Sequence, residues 1–189
     1  EISACLVGSE MCIRDRAEDD ALTSALGGVA GDVEKLLTYM PEKLAGLVKD
    51  YENIAAAVVL GRGFAYPIAC EGTLKILETN GIKMRGYAVS DFHHGPKAQV
   101  HPGDTAIVVA LRGAVFDDAV EMIDELLKIG AKVIAITDDV SLSEKTGIQG
   151  LLIPNDTNYS VPDAISAFCA AVTLQLFACL LYTSDAAAD

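Results

Sequence analysis

Glu71, Lys75 and Glu78 are separated by four and then three residues, and Glu71 precedes Lys75 in the order that favours an ion pair. On a helix these steps place all three side chains on one face. Such a row is either a solvated charged stripe or the acid–base face of a catalyst. A second group is the step "HHGP", in which His93 and His94 stand side by side in a chain with three histidines, the third being His101. Metal binding needs three or four convergent ligands. Adjacent loop histidines point in different directions, and Asp91 is the only carboxylate near them in the loop, so no metal site is read here. What remains is one imidazole working as acid or base near neutral pH, or a solvated loop. The third group is Gly61-Arg62-Gly63. It lacks the third glycine of a dinucleotide fingerprint and the acidic residue about 20 positions on, so no nucleotide cofactor is expected. A tight strand-to-helix turn explains it.

These groups need elements to hold them. Residues 19–50 read as a helix with Leu22, Leu26, Val29, Val33, Leu36, Leu37 and Met40 at three- and four-residue steps, and Pro41 is expected to break or restart it. Residues 54–63 form an apolar run ending in glycine, as a strand buried on both faces does. A helix over 67–81 follows, opened by Pro67 and closed by Gly81. Further strands are read over 86–89, 104–111, 131–139 and 150–155. Between them, residues 115–130 form an amphipathic helix with Val115, Ala119, Met122, Ile123, Leu126 and Leu127 in one stripe. A closing helix follows Ser160, a possible cap, and is apolar almost all round, which suggests a partner surface as well as a core.

Strands alternating with helices predict an α/β fold, a three-layer sandwich with a five-stranded parallel sheet. The N-terminal helix and the apolar C-terminal helix flank it. Ligands of such sheets lie beyond the carboxyl ends of the strands. The first turns of the helix carrying Glu71, Lys75 and Glu78 start at that mouth.

The chain has 189 residues, 51% apolar and 22% charged, with a net charge of −13. No uninterrupted apolar run approaches the roughly 18–20 residues that span a bilayer, and no membrane partner is expected. The negative charge argues against nucleic acid, yet a small phosphorylated metabolite can still be bound by a few local donors. The five cysteines, at 5, 12, 70, 169 and 179, have no zinc or CxxC spacing and read as buried thiols of a reducing compartment. The expected location is cytoplasmic.

Residues 60–100 resemble the second sugar-isomerase (SIS) subdomain of the glutamine–fructose-6-phosphate aminotransferase family. The family pattern runs G-R-G, Y-P-I-A-x-E-G-x-L-K-x-x-E, x-A-Y and H-G-P. This chain has Gly61-Arg62-Gly63, Tyr66-Pro67-Ile68-Ala69, Glu71-Gly72, Leu74-Lys75, Glu78, Tyr87 and His94-Gly95-Pro96. The resemblance implies a flavodoxin-like SIS fold and aldose–ketose proton transfer on a phosphorylated amino sugar. It implies roles as well: Glu78 as the base between C1 and C2, Lys75 as its support, His94 as the ring-opening residue reaching into the neighbouring subunit. Glu71, Arg62, Gly61 and Gly63 would line the substrate. His93 stands where the family often has lysine and is read as a bystander.

The implied partners are a sugar phosphate (fructose 6-phosphate or glucosamine 6-phosphate), a second copy in a homodimer, and a first SIS subdomain. The Ser/Thr phosphate loop of that subdomain has no match in residues 111–118, and neither the glutaminase domain nor the Schiff-base lysine is seen. Glucosamine-6-phosphate deaminase, fructosamine deglycase and a non-catalytic regulatory SIS module are the alternatives. Residues 5–16 and 179–189 resemble translated sequencing-adaptor read-through. The expected division is therefore 1–16 as an extension, 17–53 as a helical link, 54–178 as the SIS domain and 179–189 as a second extension.

Overall fold

A computed structural model describes residues 20–51, 54, 56–155 and 162–185. Helix α1 (Asp20–Val48) leads into strand β1 (Ala56–Gly61), helix α2 (Ala65–Asn80) and strand β2 (Lys83–Ala88). A short helix α3 (Val89–Phe92) and a 3-10 turn (Pro96–Gln99) precede β3 (Thr105–Ala110) and α4 (Phe116–Ile129). Then come β4 (Lys132–Thr137), the short α5 (Val140–Ser143), β5 (Ile148–Leu152) and α6 (Pro162–Asp185). All strands are parallel in the order β2-β1-β3-β4-β5. The order reverses between β1 and β3, so the crevice at their carboxyl ends is the topological switch point.

Strand alternation sorts the apolar residues onto two faces. Val59, Ile107, Val109, Ile134 and Ile136 face a core closed by α1, α2 and α6. Val58, Leu60, Val108, Val133 and Ala135 face a second core closed by Met122, Ile123 and Leu126 of α4 and by Phe92. The sheet is thus covered on both sides, as continuous apolar strands require.

Several boundaries differ from the sequence reading, among them the last strand, read over 150–155 and found at Ile148–Leu152. Helix α1 continues through Pro41. Met40 and Leu44 on either side are fully buried, and their packing outweighs the lost backbone bond. Of the expected stripe, Leu26 and Leu37 are exposed. Strand β2 starts at Lys83, earlier than the apolar run suggested, because an edge strand with alternating exposed and buried residues does not read as an apolar block. Helix α2 starts at Ala65, so Pro67 is its third residue; Gly81 ends it in the left-handed conformation as expected, donating to Leu77 O at 3.1 Å. The proposed cap Ser160 lies outside the described residues.

Helix α6 packs against both α1 and α2. By length and composition Pro162–Thr183 could cross a membrane. Its apolar residues are interrupted by Ser166, Thr173 and Gln175, and Leu174, Phe177, Ala178 and Leu181 are buried in the first core. Leu181 shows that the core continues into the segment beyond residue 178. Phe168 and Tyr182 are exposed on the same helix.

Candidate active site

The β1–α2 turn is built by its glycines. A Cβ on Gly61 would sit 2.3 Å from Ala65 O, and Gly63 has φ of +58°. Only glycine fits both positions. This is a structural reason for Gly61 and Gly63 that stands without a ligand. Arg62 between them reaches across the switch point, with Nη1 2.6 Å from Asp118 Oδ2 in the first turn of α4. A ligand anion at the mouth would compete with Asp118 for this guanidinium.

Glu71, Lys75 and Glu78 do share one face of α2. Lys75 Nζ lies 3.7 Å from Glu71 Oε1 and 3.1 Å from Glu78 Oε2. The hydrogen bond and charge of Glu78, then the charge of Glu71, raise the Lys75 ammonium above its ordinary value, so it stays a cation across the neutral range. The face is open, with Glu78 side-chain exposure at 53%. Leu74 and Leu77 are exposed beside it. Helix α2 runs back toward the amino end of the sheet, and Glu78 lies roughly 20 Å along its axis from Ala65 at 1.5 Å per residue. Only the beginning of α2 is at the mouth.

His94 is at the other end, in the turn after β2. Its backbone N–H donates to Asp91 O at 3.1 Å, and its side chain is exposed. Gly95 beside it has φ of +146°. His93 points elsewhere: Nδ1 is 3.4 Å from Glu125 Oε2 of α4, which also holds Lys97 Nζ at 2.7 Å. So the two adjacent histidines separate, one tied to the domain and one presented outward. The fold of one chain does not bring Glu78 and His94 together.

Sequence reading missed a buried polar group at the mouth. The Asp138 side chain, fully shielded, follows β4 and accepts from Arg112 N at 2.8 Å, from Ser166 Oγ at 2.9 Å and from Asn155 Nδ2. Arg112 Nε is 3.7 Å away, beyond hydrogen-bond reach. These residues come from the loops after β3, β4 and β5 and from α6, and only the sheet order joins them. The polar Asp138 ending an apolar strand was the one available signal. Next to it, Asp139 caps α5, and its bonds from Ser141 Oγ and Leu142 N hold its carboxyl below the ordinary range.

The thiols are not uniformly buried. Cys169 is, and burial pushes it up to about 11. Cys70 is half-buried and Cys179 exposed. Cys5 and Cys12 lie outside the described residues.

A five-stranded parallel sheet of this order with sugar-isomerase motifs on α2 and after β2 defines an α/β domain of the SIS type. The sequence profile described as "SIS domain" matches residues 52–184. The chain belongs to the SIS domain family. It is 28% identical over 163 residues to the isomerizing glutamine–fructose-6-phosphate aminotransferase of Rhizobium leguminosarum bv. viciae, covering 85% of this chain and 26% of that protein. The chain thus spans about a quarter of the length of that relative. The C-terminal domain of the glucosamine-fructose-6-phosphate aminotransferase of Francisella tularensis shares the fold with a TM-score of 0.74 at 23% identity, covering 87% of this chain and 45% of that one. The tagatose-6-phosphate ketose/aldose isomerase of Escherichia coli gives 0.70 at 25% identity, covering 82% of this chain and 42% of that one.

Proposed function

We propose that the chain is the isomerase half of an enzyme of the glutamine–fructose-6-phosphate aminotransferase type, acting by proton transfer between C1 and C2 of a phosphorylated sugar in the cytoplasm. The observation that carries this reading is the open row Glu71–Lys75–Glu78, at family spacing, on a helix face that α6 and the sheet leave uncovered. Glu78 is the base, because enediol formation needs a group that takes a proton from one carbon and returns it to the next. Lys75, a cation 3.1 Å from it, orients the carboxylate and steadies the developing oxyanion. His94 serves ring opening, by proton transfer at the ring oxygen.

Because Glu78 and His94 lie toward opposite ends of the domain, the working site is composite: Glu78 of one chain, His94 of a second copy, and phosphate donors from a further SIS subdomain like those of the aminotransferase relatives. Arg62 and Glu71 contribute at the rim. The test is isomerisation of fructose 6-phosphate by the chain alone and by the chain joined behind a relative's first SIS subdomain. No turnover alone and turnover in the joined protein are expected, with Glu78→Gln abolishing turnover while fructose 6-phosphate still binds. Full turnover by Glu78→Gln removes Glu78 from the reaction.

A further inference from the structure

The turn that carries His94 is fastened on both sides. Phe92 is fully buried and its ring lies 5.3 Å from Tyr87. Gln99 Nε2 donates to Tyr87 Oη at 3.3 Å and to Pro96 O at 2.8 Å. Val100 is buried. Between these anchors one carboxylate oxygen, Glu125 Oε2, accepts from Lys97 Nζ at 2.7 Å and lies 3.4 Å from His93 Nδ1, an ion pair when that imidazole is protonated. These two flank His94, Gly95 and Pro96, and all three partners are about two-thirds buried or more, with side-chain exposures of 31%, 32% and 27% for His93, Lys97 and Glu125. A charge-assisted bond at 2.7 Å in a half-dry place is worth more than an exposed surface pair. Lys97, then His93 and Lys128, hold the Glu125 carboxyl below its ordinary value, and Glu121 stands one turn back on the same helix.

We propose that Glu125 is a positioning residue: it clamps His93 and Lys97 onto α4 and so fixes the two sides of the turn from which His94 projects. His93 is then part of the holder and no bystander. The clamp makes the imidazole of His94 a preformed group, held outward before any partner arrives, so that little loop ordering is left for the moment of association. The function of the clamp rests on the role given above to His94, but its existence does not.

The test is amide hydrogen exchange of residues 90–100 in the 189-residue chain, compared across wild type, Glu125→Gln, Glu125→Lys and the double swap Lys97→Glu/Glu125→Lys. Exchange in the turn should rise about tenfold in Glu125→Lys, the size of losing one charge-assisted bond. It should return to within about twofold of wild type in the double swap, because the ion pair is rebuilt with reversed sign. The amides of Met122, Ile123 and Leu126 in α4 should not change, which separates a loosened turn from a loosened fold. Unchanged exchange in the turn of Glu125→Lys, or a double swap no better than the single variant, overturns the clamp. His94→Asn should leave exchange in the turn as in wild type. If that variant also leaves isomerisation by the joined protein unaffected, the role of His94 fails while the clamp stands.

Discussion

Two sets of charges in this domain have opposite settings. Around Asp138, a single carboxylate with no solvent exposure gathers donors from two other loops and a helix. Along α2, two carboxylates and an ammonium stand 37–53% exposed and pair with one another. The first set holds the fold together, because removing the acceptor leaves buried donors unpaired. The second contributes little to stability, since exposed pairs are screened and mobile. Charges that the fold does not need are the ones free to meet a substrate. The face proposed to react stands on the flank of α2.

This contrast can be broken by substitution. Asp138→Ala should cost about 3–5 kcal/mol, as removing one partner of a buried charged network does; urea denaturation measures it, and a loss below about 1 kcal/mol would place Asp138 among the dispensable charges. Ser166→Ala removes one of its three donors and should cost about 1 kcal/mol in the same assay. Glu78→Gln should change stability by no more than about 0.5 kcal/mol, the value of an exposed pair, while abolishing turnover in the joined protein. A marked loss of stability in Glu78→Gln would erase the difference between the two sets.

The pH response sharpens the same comparison. Hydrogen bonding and charge from Lys97 hold the Glu125 carboxyl below its ordinary value of 4.5. A depressed folded value means that the unfolded chain binds more protons in acid. The clamp's contribution is therefore fully present above pH 4.5 and is lost as pH falls through the lower folded value. Exchange in residues 90–100, once corrected for intrinsic rates, should rise as pH falls below that ordinary carboxyl range. The smallest effect concerns thiols. Cys179 should react with an alkylating reagent well before Cys169, whose thiol burial keeps protonated to about 11.

Local pattern carried much of the architecture. The apolar runs marked β1, β3 and β4 within two residues, and Gly81 and Gly130 ended their helices where expected, both left-handed. The steps of four and three placed Glu71, Lys75 and Glu78 on one face correctly. What periodicity does not carry is where along the domain a helical residue ends up, and Glu78 lies well back from the mouth. Edge strand β2 was shortened because Lys83 and Arg85 interrupt its apolar residues. Contacts across long sequence separations were invisible for another reason. Asp138 meets Arg112 and Ser166, and Glu125 meets His93 and Lys97, only after the sheet has set the loops side by side.

The central claim is that one site draws Glu78 and His94 from different copies. Its most direct test uses two variants of the joined protein, Glu78→Gln and His94→Asn, each inactive in isomerisation by itself. Mixed and reassembled, they should regain a substantial fraction of wild-type turnover, because one of the two sites in a mixed pair then holds both intact residues. A mixture that stays as inactive as its components would contradict the account.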